Sequence, residues 1–243
     1  MQCISGILIT VSIKRMNKNR IVLISDTHNR HREVTVPNGD TLIHSGDFSG
    51  VGSPYEVEDF LDWFSSQPHT NKIFIAGNHD LSFEDKPSWL IYMLENLAPN
   101  IFYLEDSEMT IDEIKFYGSP WQPEFNNWAF NLPRGEQLAD KWAKIPLDTN
   151  VLITHGPSYG NVDYTIFGHQ NVGCHDLLYK IQEVKPQIHT CGHIHHSYGS
   201  KYNEYTTFFN ASICDERYQP TNKPWIIDLE LNTKKIVDYF QVD

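Results

Sequence analysis

Five short apolar runs in this chain stop on the same kind of residue. "IVLIS" (21–25) is followed by Asp26, Thr27 and His28, and "TLIHS" (41–45) by Gly46 and Asp47. "IFIAG" (73–77) runs straight into Asn78, His79 and Asp80. "VLITH" (151–155) ends on His155, and "QIHTC" (187–191) is followed by Gly192, His193, Ile194 and His195. Runs of this length and make-up read as buried strands. Polar groups buried at a strand end without partners cost several kcal/mol each, roughly 2–7 by transfer from water. A chain that repeats the pattern must fold so that these ends satisfy one another.

Helical patterns lie between several of the runs. Ser53-Pro54-Tyr55-Glu56 reads as a capping box with proline at the first helical position. Val57, Phe60, Leu61 and Phe64 then mark one buried face. Residues 88–97, 135–144 and 174–184 show weaker helical periodicity. Alternating strands and helices predict an α/β fold with a largely parallel sheet. The tail differs: 205–212, 225–231 and 235–242 read as successive antiparallel strands that help complete a second sheet, with a hairpin turn at 232–235.

The 243 residues suffice for one α/β domain. Residues 20–243 are expected to form it, with 1–19 as an N-terminal extension. The apolar stretch 3–13 is too short to span a bilayer, and its basic residues follow it rather than precede it as a signal peptide requires. It reads as a frayed extension or an extra strand, with Met16 as an alternative start and the cytoplasm as the expected compartment. Four cysteines without a C-x-x-C pair read as buried thiols. The net charge of -12 argues against a polymeric nucleic acid or an anionic membrane as partner.

In an open α/β sheet, ligands bind beyond the carboxyl ends of the strands. Asp26, His28, Asp47, Asn78, His155, His193 and His195 should therefore converge on one edge. Oxygen and imidazole donors in that number need a cation to coexist. There are too many for one four-coordinate zinc, and they suit two metals sharing a bridging carboxylate. A set without thiolate fits manganese, iron or zinc in a catalytic role. Asp26-x-His28 and His193-x-His195 would each place two donors on one side of an extended segment.

The blocks D-x-H, G-D, G-N-H-D, H and G-H-x-H, in that order from Asp26 to His195, resemble the calcineurin-like metallophosphoesterases. "SDTHNR", "IAGNHDLSF", "GSPWQPEFNNWAFNLPRG", "THGP" and "NASIC…QPTNKPWIIDL" extend the likeness to the metallophosphoesterase-domain-containing proteins of animals, over almost the whole chain after residue 20. The resemblance implies an α/β sandwich of two mixed β-sheets flanked by helices. It implies a centre of two divalent transition metal ions, manganese favoured, and hydrolysis of a phosphodiester of the nucleotide or cyclic-nucleotide class. It assigns Asp26, His28 and His195 to the first metal, Asp47 to the bridge, and Asn78, His155 and His193 to the second. His79 becomes the imidazole that faces substrate, with Asp80 beside it as a further catalytic candidate that hydrogen-bonds nearby backbone or His79. Gly50 stands where the protein phosphatases of this group carry a second aspartate, which argues against a protein substrate. A phosphomonoesterase, a pyrophosphatase, and a metal- and nucleotide-binding regulator with weak activity remain alternatives.

Residues 119–135 are rich in aromatic and amide groups. Trp121, Phe125, Asn126 or Trp128 can stack on or hydrogen-bond a small-molecule nucleotide, and Arg134 can hold a phosphate oxygen. A self-packed loop is the alternative. His31, His44, His69, His169, His175 and His189 match no motif position and are expected to be structural, whereas His196, next to His195 on the opposite side of an extended segment, is expected behind the ligands or on the surface.

Overall fold

The apolar runs become strands. The structure, a computed structural model, describes residues 17–166 and 168–242. The extension or extra strand expected at 1–13, and the start at Met16, lie outside the described residues. In chain order the strands begin with β1 (Lys18–Ile24), β2 (Thr41–His44), β3 (Asn71–Phe74), β4 (Ile101–Tyr103), β5 (Ser107–Ile111), β6 (Ile114–Ser119), β7 (Gln122–Pro123) and β8 (Asn131–Leu132). They continue with β9 (Val151–Thr154), β10 (Tyr164–Thr165), β11 (Gln170–Asn171), β12 (Ile188–Cys191), β13 (Gly199–Tyr202), β14 (Thr207–Asn210), β15 (Trp225–Glu230) and β16 (Ile236–Phe240). The helices are α1 (Pro54–Ser66), α2 (Ser82–Asp85), α3 (Ser88–Glu95), α4 (Glu136–Ala143) and α5 (His175–Val184).

Two six-stranded mixed sheets dominate. The first has the order β16-β15-β1-β2-β3-β4, with β1 to β4 parallel and β15 antiparallel to β1. The second has the order β13-β14-β12-β9-β6-β5, with β6, β9, β12 and β14 parallel. Ile21, Leu23, Ile43 and Ile73 from the first sheet pack against Phe116, Val151, Ile153 and Phe209 from the second. The alternate residues Val22, Ile24, Leu42 and Phe74 face the other way, onto Val57, Phe60 and Phe64 of α1. The outer face of the second sheet meets Leu138 and Trp142 of α4 and Leu177 and Ile181 of α5. Two helical layers thus enclose two sheets. Strands buried on both faces are why the runs are apolar without alternation.

The capping box of α1 forms as read: Ser53 Oγ accepts the Glu56 N–H at 3.4 Å, and Glu56 Oε2 accepts the Ser53 N–H at 2.8 Å. In the tail β15 and β16 pair antiparallel across the expected turn, but the strand order departs from expectation. β14 runs parallel to β12 and antiparallel to β13, whereas β15 and β16 close the first sheet beside β1. β13 itself was not expected, because its "GSKY" sequence carries no apolar pattern.

Candidate metal centre

The sheets face each other so that the carboxyl ends of β1, β2 and β3 meet those of β9 and β12. A parallel bridge between Ser25 and Ser212 fastens these ends together. All seven expected donors lie at this edge, and Asp26, His28, Asp47, Asn78 and His155 are buried. The donors reach it by turns. Asp26, His28, Asp47 and His193 have φ of 50°, 41°, 55° and 66°. Asp, Asn and His tolerate this left-handed region better than other residues, and strain of this kind concentrates at functional sites. The alternation expected for Asp26-x-His28 and His193-x-His195 is therefore replaced by left-handed turns that fold the donors inward.

Two donor groups form. Asp26, His28 and His195 make one, and Asp47, His155 and His193 another. In the first, His195 Nε2 is 3.2 Å from Asp26 Oδ1 and 3.3 Å from His28 Nε2. In the second, His155 Nε2 is 3.0 Å from Asn78 Oδ1. Asp47 Oδ2 joins them, 3.3 Å from His155 Nε2 and 3.9 Å from His28 Nε2.

Backbone carbonyls set the tautomers. Nδ1 of His28, His155 and His195 lies 3.3, 2.9 and 2.9 Å from the oxygens of Ser49, Ser45 and Asp215. A carbonyl only accepts, so each Nδ1 carries a proton and each Nε2 is the ring atom turned inward. This is the arrangement that orients an imidazole for a metal. His28 Nε2 and His195 Nε2 face each other in the first group, where a cation would replace the proton between them. The donor set fits a pair of divalent cations.

The charges agree. Burial works against the Asp26 and Asp47 carboxylates, yet the imidazoles around them hold both below the usual carboxylate range. Burial likewise opposes protonation of His155 and His195, but Asp47 and Asp26 respectively raise each to about 9. Burial lowers His28 to about 4 and His193 to about 3. Without metal the edge thus holds two carboxylate–imidazolium pairs and two neutral rings. Binding a cation displaces the protons.

His79 stands apart from the two groups. Its Nδ1 donates to Gly50 O at 2.8 Å, its backbone N–H donates to Asp47 Oδ1 at 2.8 Å, and its ring stacks on Trp128 at 4.1 Å. The carbonyl of Gly50 takes the place of the absent aspartate. His79 also lies close enough to His28 and Asp47 to form a third potential donor group.

Asp80 bonds nearby backbone, the first of its two expected partners. It does not line the cavity and makes no bond to His79. Its Oδ2 accepts the N–H groups of Asp47 and Gly77 at 2.9 and 2.8 Å, and its Oδ1 accepts Ser49 N–H and Oγ–H at 3.1 and 2.6 Å. Burial, then the neighbouring Asp47 charge, raises it to about 7. Asp80 staples the turn after β2 to the turn after β3.

A cavity of about 500 Å3 opens over the edge, and His28, Asp47, Asn78, His79, His193 and His195 line it. Among the residues proposed for substrate, Arg134 lines it, but its guanidinium donates to Gly173 O and Val172 O at 2.7 and 2.6 Å. Trp121 does not: its Nε1 donates to Asp106, Lys141 covers its ring, and it packs on Phe130. Asn126 does not line the cavity either; it occupies an exposed left-handed turn. Phe125 does, edge-on to His193. Sequence reasoning missed Ser212, which donates to Asp26 Oδ2 at 3.0 Å, and Tyr218, which lines the cavity. Ser212 lies in the "NASIC" stretch, which does not mark it as a partner of Asp26, and no motif marks Tyr218. His196, next to His195, also reaches the cavity, where it pairs with Glu216 at 3.1 Å.

A sandwich of two mixed sheets whose facing ends gather Asp, Asn and His donors around one shared carboxylate has the make-up of a metal-dependent phosphoesterase. The chain belongs to the calcineurin-like phosphoesterase superfamily, whose domain matches residues 20–231. It is 45% identical over 230 residues to the human metallophosphoesterase domain-containing protein 1, covering 86% of this chain and 71% of that one. It is 38% identical over 224 residues to a UPF0046 protein of Caenorhabditis elegans, covering 88% and 76%. A solved structure from Thermus thermophilus, that of TT1561, shares the fold with a TM-score of 0.60 at 13% identity, over 93% of this chain and all of that one.

Proposed function

We propose that this chain hydrolyses a phosphodiester of nucleotide size, cyclic nucleotides included, with two divalent transition metal ions, manganese favoured over iron and zinc. One observation carries the reading: the Asp47 carboxylate stands between the two donor groups, 3.3 Å from His155 Nε2 and 3.9 Å from His28 Nε2. A pair of cations held there supplies a water that ionises near neutral pH and neutralises phosphoryl oxygens. It also supplies the positive charge that a chain of net charge -12 otherwise lacks.

The chain's own residues do the rest. Asp26, His28 and His195 form one half of the cradle, and Asn78, His155 and His193 form the other. Because Nδ1 of His79 is committed to Gly50 O, Nε2 is the atom left for substrate. In its protonated form that nitrogen donates to the leaving oxygen. Glu124 and Glu216 line the cavity, and the Arg134 guanidinium is engaged by carbonyls. These charges favour the single negative charge of a diester over the dianion of a monoester. In this reading residues 20–243 act as one domain in the cytoplasm on a small diffusible ester, without polymeric nucleic acid or a membrane. No helix among the described residues is long and apolar enough to cross a membrane.

The test is kcat/KM on bis(p-nitrophenyl) phosphate, p-nitrophenyl phosphate and pyrophosphate after manganese loading. The diester is expected to lead by about tenfold or more, on the order of one charge–charge term at partly screened range. A lead for either of the other two overturns the diester assignment. No turnover of any at full metal occupancy overturns hydrolysis itself.

A further inference from the structure

Tyr218 sits where a tyrosine is unfavourable. Its φ is 57°, a conformation that glycine or asparagine adopts with less strain than a bulky residue. The turn around it is stapled into this shape. Asp215 Oδ1 accepts the N–H groups of Arg217 and Gln219, each at 2.9 Å, and Asp215 O accepts the Tyr218 N–H at 2.9 Å. Arg30 Nε donates to Tyr218 O at 3.2 Å. Asp215 O is also the acceptor that orients His195, so the turn and the donor group move as one.

The fold gains little from the ring. It is 47% exposed and belongs to none of the three apolar clusters. It lies over the donor edge, with centroids 4.7, 5.7 and 6.3 Å from the rings of His28, His195 and His79. A strained backbone that holds a half-exposed aromatic ring beside the His79 side of the cavity has its use in what enters the cavity. Phe125, 54% exposed, stands across the edge by His193.

We propose that Tyr218 is a specificity-determining residue, the platform on which the planar base of a nucleotide ester stacks while its phosphate lies over the donor edge. This deepens the proposed function and rests on it. A base stacked on an aromatic side chain is sequence-tolerant, so the platform selects for a base over no base.

The experiment compares two cyclic esters that differ only in the base: adenosine 3′,5′-cyclic phosphate and ribose 3′,5′-cyclic phosphate. Manganese-loaded wild type, Tyr218→Phe and Tyr218→Ala are assayed, with metal content measured for each. Tyr218→Ala is expected to lose about tenfold or more of the kcat/KM preference for the adenosine ester over the ribose ester, as one lost stacking contact requires. Tyr218→Phe should retain the preference. An equal loss on both esters overturns the proposal. So does loss of metal in Tyr218→Ala, because the ring would then shield the donors instead. If wild type turns over neither ester, the two are titrated as ligands: tighter binding of the adenosine ester, abolished in Tyr218→Ala, upholds the platform while the hydrolytic reading falls. Turnover without any base preference leaves hydrolysis standing and sinks the platform.

Discussion

Asn78 and His79 are neighbours in the chain with different partners. Asn78 Oδ1 faces His155 Nε2, whereas the His79 ring is held by Gly50 O and Trp128. If His79 delivers a proton to the leaving group, His79→Ala keeps both metals and loses roughly 10²–10⁴-fold in kcat. The loss should shrink on a nitrophenyl diester, whose leaving oxygen needs no proton. Metal content together with kcat on an activated and an unactivated diester decides this, and loss of a metal would make His79 a ligand. Asp47→Asn should lower metal-to-protein stoichiometry at both positions, because the carboxylate stands between them; an unchanged ratio by mass spectrometry rules out the bridge. At this scale the donors were legible because few polar residue types end buried strands. Ser212, Asp215 and Tyr218 were not, since they act through a hydrogen bond, a carbonyl and a ring face, which leave no spacing in a sequence. Trp121 reads as a stacking group in the sequence only because its partners Asp106 and Lys141 are far from it along the chain.

Strands and helices with strong apolar faces could be read directly: β1, β2, β3, β6, β9 and β12, and the capped start of α1. β4, β5 and β13 could not, being short or polar edge elements held by the neighbours they pair with. The turns after the strands carry the tightest constraint. A Cβ at Gly192 would overlap the Asp26 carboxylate and Ser25 Oγ, and one at Gly77 would overlap Asp47 Oδ1 and approach His155 Cε1 to 2.7 Å. These glycines let two strand ends approach the carboxylates. Gly192→Ala is therefore expected to displace Asp26, lower first-metal occupancy and cost about 1–3 kcal/mol, as overpacked interiors do. Denaturant unfolding and metal analysis check this, and a variant with wild-type metal content and stability would show that the close approach is dispensable.

At the scale of the whole molecule, pH acts through the buried neutral histidines, and a bound metal would act through the facing sheets. Burial lowers His44 and His189 to about 3, and their rings bond Thr27 Oγ1 and Thr154 Oγ1 at 3.0 and 2.8 Å. Unfolded histidine titrates near about 6.5. Both rings are neutral in the fold, so their contribution is complete above that value and is lost as pH falls from there towards 3. The slope is about 1.4 kcal/mol per pH unit for each ring. His189→Gln should flatten the acid limb of stability in chelator, and an unchanged limb would show that His189 is not refusing a proton. Metal acts across the same core. Asp26, His28, Asp47 and Asn78 belong to the first sheet, while His155, His193 and His195 belong to the second. Ion pairs cross between them at Asp26–His195 and Asp47–His155, at 3.2 and 3.3 Å. Cations bound there tie the sheets together only in the folded chain, which stabilises it by about 2.7 kcal/mol per site at a roughly hundredfold excess over Kd. For a chain of this length that is roughly 5–10 °C in Tm per site. Manganese should raise Tm by that amount and chelator should reverse it, while Asp47→Asn should lose most of the gain. An equal rise in Asp47→Asn would mean that the cations join the sheets without the shared carboxylate, and the two-site geometry would have to be redrawn around Asp26 and His193.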